Sequence, residues 1–208
     1  MTLPRLIPLF AFTGLVACGG SEGSGPVFGV DVTLPTPTGV GGGYIEAATF
    51  SEIATANDAL RTAIFDDNRF PTTTGSGVVD MTGYLGVSEV GNEDESIVGN
   101  MSLTVDFDVQ DVTGSVGDIA VYDTTGDTPV RIVDMTGTLT LTGGAAGSGF
   151  AADVTGVISD GSENYTLDLD LGGDLYDVDG TNTYVGGVNG NSVDSTGTTT
   201  LEGEFLAQ

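Results

Sequence analysis

The chain has 208 residues, 34 of them glycine, and sets 30 acidic residues against four arginines, for a formal net charge of -26 with no lysine, histidine or tryptophan. That length suffices for one domain with its own core. The charge excludes a nucleic-acid partner, which needs clustered Arg and Lys, and it also excludes electrostatic attachment to anionic lipid.

Residues 1–17 read as a lipoprotein secretion signal. Arg5 supplies the positive start, Leu6 to Val16 is a short apolar run, and Leu15-Val16-Ala17-Cys18 has the form of a lipobox. The run is too short to cross a bilayer as a helix, which takes about 20 apolar residues. The competing reading is an ordinary signal with an incidental cysteine. Against it, Cys18 is the only cysteine, so it has no disulfide partner within the chain. The expectation is that Cys18 is cut free and lipidated with a diacylglyceryl group and an N-acyl chain. Two or more chains anchor stably where one binds marginally. Gly19 follows the cysteine, where an aspartate would resemble the inner-membrane retention of enterobacterial lipoproteins. The expected location is therefore the cell outer membrane, periplasmic or surface-exposed.

Residues 18–43 are rich in Gly, Pro, Thr and Ser and end in Gly41-Gly42-Gly43. They read as a flexible lipidated tether. Residues 44–70 change character. Phe50, Ile53, Asn57, Leu60 and Ile64 recur three or four apart among alanines, which predicts a helix. Thr49 or Ser51 is the expected cap, with Glu52 in the first turn. Asp66-Asp67-Asn68 and Pro71 are the expected stop.

From residue 75 the period becomes two. Met101 to Val109, Met135 to Leu141 and Tyr165 to Leu171 alternate strictly between apolar and polar residues. Such alternation marks strands with one buried and one wet face. Eight strands are predicted, near 77–88, 97–109, 112–123, 130–142, 149–159, 163–171, 174–188 and 197–206, the seventh open to division into two pieces. Gly126-Asp127, Gly143-Gly144, Asp160-Gly161 and Gly172-Gly173 are the expected turns. Short spacings imply antiparallel neighbours, and closure hides the sheet edges. The predicted class for 71–208 is therefore all-β, an eight-stranded antiparallel up-and-down β-barrel preceded by a short helix and the tether. A weak repeat, Asp-[Met/Val]-Thr-Gly-x-aliphatic, begins at Asp80, Asp111, Asp134 and Asp153. Its glycine shares a face with apolar neighbours, as expected where a barrel wall bends inward. Its Asp and Thr are expected to face outward.

These strands also resemble a family. Pro71-Thr-Thr-Thr-Gly75-Ser-Gly-Val-Val-Asp-Met-Thr-Gly83-Tyr84 resembles the opening strand of the C-terminal barrel of transferrin-binding protein B. Asn100 to Phe107 followed by Val112-Thr-Gly114 resembles its second and third strands. Gly172 to Tyr176, Tyr184 to Val188 and Gly203-Glu-Phe205 resemble its closing strands. The resemblance implies a lipid-anchored eight-stranded barrel displayed by Gram-negative bacteria, with relatives that bind transferrin, factor H or haem carriers. Here there is one barrel, with no second lobe and no handle domain. Ligand contacts of the family lie in loops without a match, so no ligand-binding residue carries over.

No catalytic constellation is expected and no cofactor. Without His and Lys there is neither a Ser-His triad nor a Schiff-base lysine, and Cys/His zinc sites are excluded. Close carboxylate pairs of the glycosidase kind arise by chance among 30 acids and read as solvated surface. Calcium is the chemical alternative. Asp174, Asp177 and Asp179 are the candidate ligands, since Asp177-Val-Asp-Gly180 matches the start of a calcium loop, though the remaining ligands of an EF-hand are missing. Asp168 and Asp170 read as the outer face of a strand. Tyr84, Tyr122, Tyr165, Tyr176 and Tyr184 are candidates for a binding surface, weighed against core packing, with Tyr165 inward and Tyr84 outward. The expected function is a non-enzymatic, lipid-anchored binding module for a host or environmental protein, or for a nutrient of the iron or haem carrier type. The alternatives are a structural envelope protein without a ligand, a calcium-binding acidic β-domain, and a small carboxylate hydrolase.

Overall fold

The computed structural model describes residues 35–37, 39–66, 71, 76–178 and 181–208. Cys18, the signal, most of the tether and Asp179 lie outside the described residues, as do 67–70 and 72–75.

The helix α1 spans Ala47–Asp66. It starts earlier than the expected caps, because Ala47 and Ala48 are strong helix formers and the Glu46 carbonyl accepts the Phe50 amide at 2.9 Å. Glu46 is thus the capping residue. Thr49 and Ser51 lie inside the helix, and its first turn holds no acid. The predicted apolar row holds: Ile53, Asn57, Leu60 and Ile64 are buried, while Phe50 stacks on Tyr122 with centroids 4.9 Å apart.

Nine strands follow: β1 Val78–Glu89, β2 Asn92–Asp106, β3 Asp111–Asp123, β4 Val130–Asp134, β5 Leu139–Ala146, β6 Gly149–Ser159, β7 Asn164–Val178, β8 Thr181–Val193 and β9 Thr198–Ala207. Every pairing is antiparallel. The order β2-β1-β9-β8-β7-β6-β5-β3, with β2 also paired to β3, closes a ring of eight, and β4 adds to β3 alone. The fold is an all-β up-and-down barrel with one short helix.

Two features correct the sequence reading. The predicted strand 130–142 is divided. Gly137 takes φ 115, and residues 135–138 leave the strand, so β4 pairs the end of β3 while β5 pairs its beginning. The glycine pairs at 143–144 and 172–173 are not turns. They lie inside β5 and β7. A Cβ on Gly143 or Gly173 would run into the carbonyl of Ala151 or Val185 on the neighbouring strand. These are inward kinks where strands coil tightly, a use of glycine distinct from a turn. The first piece of the predicted strand 174–188 accordingly continues β7.

The lumen is filled. Met81, Met101, Leu141, Val154, Leu169, Leu175, Tyr184 and Phe205 belong to one buried cluster with contributions from every strand of the ring. Phe150 packs against Tyr184 and Phe205, with centroids 5.1 and 5.2 Å away. Among the described residues the Tyr184 hydroxyl has no hydrogen-bond partner. Burial, and then the charge of Asp174, push its pKa up to about 12.

The outer wall is partly covered. Leu60 and Ile64 pack on Val178 and Leu206, with Tyr176 alongside. Ile45 and Ile53 pack on Tyr84, Val98, Ala120 and Tyr122. Arg61 pairs with Glu204 at 2.5 Å. A bulge prepares this surface. Asn100 pairs with Gly117 and Val98 with Ala120, so β3 holds one extra residue. Asp118 sits there at φ 50, a conformation aspartate tolerates. The apolar register shifts from Val112 and Val116 to Ile119, and Tyr122 turns outward to meet the helix.

The bulge also anchors the chain before the helix, against the expectation of a free tether as far as 43. The Asp118 carboxylate accepts the amides of Gly41 and Gly43 at 2.7 and 3.2 Å. The Asn100 side-chain amide donates to the Gly43 carbonyl at 3.0 Å. Tyr84 donates to the Pro35 carbonyl at 2.6 Å, and Tyr122 donates to that of Ile45.

Candidate functional site

With apolar side chains filling the inside, polar chemistry is carried by the outer wall and the turns. β1, β3, β6 and β8 run towards one end, here called upper, where residues 90–91, 124–129, 160–163 and 194–197 connect the strands. Three of these connections share one chemistry. The Asp160 carboxylate accepts the amides of Ser162 and Glu163, both at 2.7 Å, and the Ser162 hydroxyl at 2.8 Å. These bonds to its charged form pull its pKa down to about 2. Asp123 and Asp194 bind Thr125 and Thr196 in the same way, and their hydroxyl and amide donors lower those carboxyls too. The Glu163 carboxylate accepts the Ser195 amide at 2.8 Å, tying two turns together. Around neutral pH these three aspartates are ionised.

Beyond the lower ends of β7 to β9, where the helix packs, the wall over β5 to β9 is lined by cross-strand rows. One row runs Thr113, Thr142, Asp153, Asp170, Asn189, Glu202. The Asp and Thr residues of the repeat face outward as expected: Asp80, Asp111, Asp134 and Asp153 are all exposed, and Thr104 donates to Asp80 at 2.8 Å. A surface groove of about 260 Å³ lies between Thr142, Asp153 and Asp170 beside Gly143.

Three like-charged pairs stand directly opposite one another, Glu95 with Asp123, Asp106 with Asp111, and Asp153 with Asp170. Each such pair is destabilising, and salt screens it. Sodium chloride is expected to raise the melting temperature by screening the three pairs. Calcium at millimolar concentration and fixed ionic strength is expected to add no further shift. A saturable calcium-specific rise in melting would overturn that expectation.

Of the calcium candidates, Asp179 lies outside the described residues, and Asp174 and Asp177 do not converge. Asp174 lies on the outer side of β7, half-buried, and accepts the Ser148 hydroxyl at 3.3 Å; burial raises its pKa. Asp177 lies three residues on in the same strand, and that spacing puts it on the opposite face. Among the described residues no three acidic, His or Cys side chains are placed to hold a metal ion. Asp168 and Asp170 are exposed on the outer face.

The five candidate tyrosines all take part in packing. Tyr84 and Tyr122 face outward beneath the helix and the segment before it, Tyr176 touches the helix cluster, and Tyr165 and Tyr184 point inward. Burial pushes Tyr84, Tyr122 and Tyr176 up to about 12, against the Arg131 charge in the case of Tyr122. Sequence reasoning missed the role of Arg131. Its guanidinium sits 5.4 Å from the Tyr44 ring centroid and 3.3 Å from Asp134. The one signal available was the placement of a lone arginine between apolar residues on a predicted strand.

No helix among the described residues is long and apolar enough to cross a membrane, which says nothing of strands. Comparison of the chain with family models, with curated proteins and with solved structures gives no match in any of the three.

Proposed function

We propose that this chain is an outer-membrane lipoprotein, anchored through a lipidated Cys18, whose barrel is a non-enzymatic scaffold for binding another protein on its outer surface. The observation that carries this reading is the filled lumen. Barrels that swallow a small ligand keep an internal cavity, and small-molecule pockets are commonly about 300–1,000 Å³. Here Phe150, Tyr184 and Phe205 occupy that space, so the protein branch of the reading is favoured over a nutrient held inside. The lipobox, the acidic rim and the likeness of the strands to the transferrin-binding protein B barrel support surface display.

With a formal charge of -26, the partner surface is expected to be cationic, since complementary potentials steer encounter. The test is capture on the immobilised mature chain from the organism's natural medium, followed by titration of the captured protein. Saturable binding at a fixed stoichiometry, weakening with salt, is the expected result. If nothing is retained at micromolar concentration, the protein is a structural component of the envelope.

A further inference from the structure

The ring has one place where strands part. Thr140 pairs with Thr155, and beyond that β4–β5 meets β6 only at the bridge of Thr136 with Ser159. Both backbone hydrogen bonds of that bridge are made, at 2.8 and 2.9 Å. Ser159 is the last residue of β6. In an antiparallel arrangement, each step from Thr136 back towards Val130 is matched by a step beyond Ser159, which leads into the turn at 160–163. Among the described residues, then, β4 is bonded to β3 on one side and has no strand on the other. The register slips between Val121 and Tyr122, so that Val133 and Arg131 are the paired residues. Ile132 between them is left 45% exposed, and Val130 is 56% exposed. An unpaired edge carrying exposed β-branched residues is a template for strand addition.

Charge selects the occupant. A second copy would bring another chain of formal charge -26 to the same edge. Asp127 and Asp134 lie along the β3–β4 hairpin, and Asp160 and Glu163 occupy the turn beside the open edge. The cation of this hairpin, Arg131, is already engaged by Asp134 and Tyr44. We infer that the open edge of β4 docks an extended cationic segment of a protein partner, one that alternates apolar residues with Lys or Arg. The added strand takes its main-chain bonds from residues 130–134. Its apolar side chains meet Val130 and Ile132, and its cations face the four carboxylates. This inference rests on the protein-binding reading above and names the place where the partner is held.

The probe is a heptapeptide alternating lysine and valine. The control carries the same four lysines, with proline in place of two valines so that it cannot pair as a strand. Both are titrated into the mature chain and followed by backbone amide shifts and hydrogen exchange. The expected result is new protection at residues 130–134 with the alternating peptide only. Val130→Lys/Ile132→Lys is expected to weaken binding by about tenfold or more, while Val193→Lys, on an exposed residue elsewhere, leaves it unchanged. Equal binding of the proline control, or protection at other residues, would mean unspecific charge attraction and overturn the inference. Concentration-dependent protection of 130–134 without peptide would assign the edge to a second copy and overturn it as well. The protection map of the unmodified chain decides the matter even where a variant fails to fold. A captured partner that binds the double variant as tightly as the original sinks the edge and leaves the binding reading standing. Peptide protection with no captured partner keeps the edge and removes the evidence of a natural ligand.

Discussion

A Cys18→Ala chain is expected to leave the membrane fraction and appear wholly soluble. Cys18 is the only cysteine and the only residue through which acyl chains are expected to attach. Each buried methylene of such chains contributes about 0.8 kcal/mol of membrane affinity, and stable anchoring takes two chains. Electrostatics is expected to give no other hold on an anionic surface: three arginines would remain after removal of the expected signal, against 30 carboxylates. The barrel begins only at Val78, so the same substitution is expected to leave the melting curve unchanged. Fractionation by ultracentrifugation, paired with a thermal melt, checks both statements. Retention of the variant with the membranes would overturn the lipid-anchor reading.

Phe205→Ala is expected to cost about 3–5 kcal/mol, the range for removing a buried aromatic ring. Domains of this kind hold only about 5–15 kcal/mol in all, so the variant should lie near the edge of folding. Phe205 is 1% exposed. Its ring lies 5.2 Å from Phe150 and occupies the space that a side chain at Gly186 would need. Tyr184→Phe in the same cluster carries the opposite expectation. Its hydroxyl is buried without a hydrogen-bond partner among the described residues, so removing it should be neutral or stabilising by about 1 kcal/mol. Urea unfolding with an unchanged denaturant slope separates the two. A loss below about 1 kcal/mol for Phe205→Ala would contradict a tightly packed lumen.

The legible parts of the fold are those governed by nearest neighbours. Met101 to Val105 and Tyr165 to Leu171 alternate in the sequence, and the odd residues of both runs do line the lumen. The helix row from Ile53 to Ile64 was readable in the same way. Glycine was the ambiguous letter. Gly126 and Gly161 stand in connections as expected, while Gly143 and Gly173 lie within strands. Nothing local separates these uses, because what makes Gly143 necessary is the carbonyl of Ala151 on the next strand. The break at Gly137 was hidden for a related reason. Met135 to Leu141 keeps perfect alternation, and only the divergence of β4 from β6 shows that the strand does not continue.

The candidate site was less legible than the fold. The Asp174, Asp177, Asp179 cluster looked compact along the chain, but strand geometry turns Asp174 and Asp177 to opposite faces. The open edge of β4 had no local signature, since an edge is defined by the neighbour it lacks. By itself, the sequence determined a helix followed by a closed antiparallel sheet and a composition too poor in cations to cluster them, and it carries the expectation of an export signal before Cys18. These follow from short-range periodicity and composition, which act before the chain folds. Only the tertiary structure decided that the lumen is full, that Asp118 pins the chain at Gly41 and Gly43, and that β4 stands with one side open among the described residues. Each of these depends on which strands come side by side, and contacts between residues far apart in the chain set that.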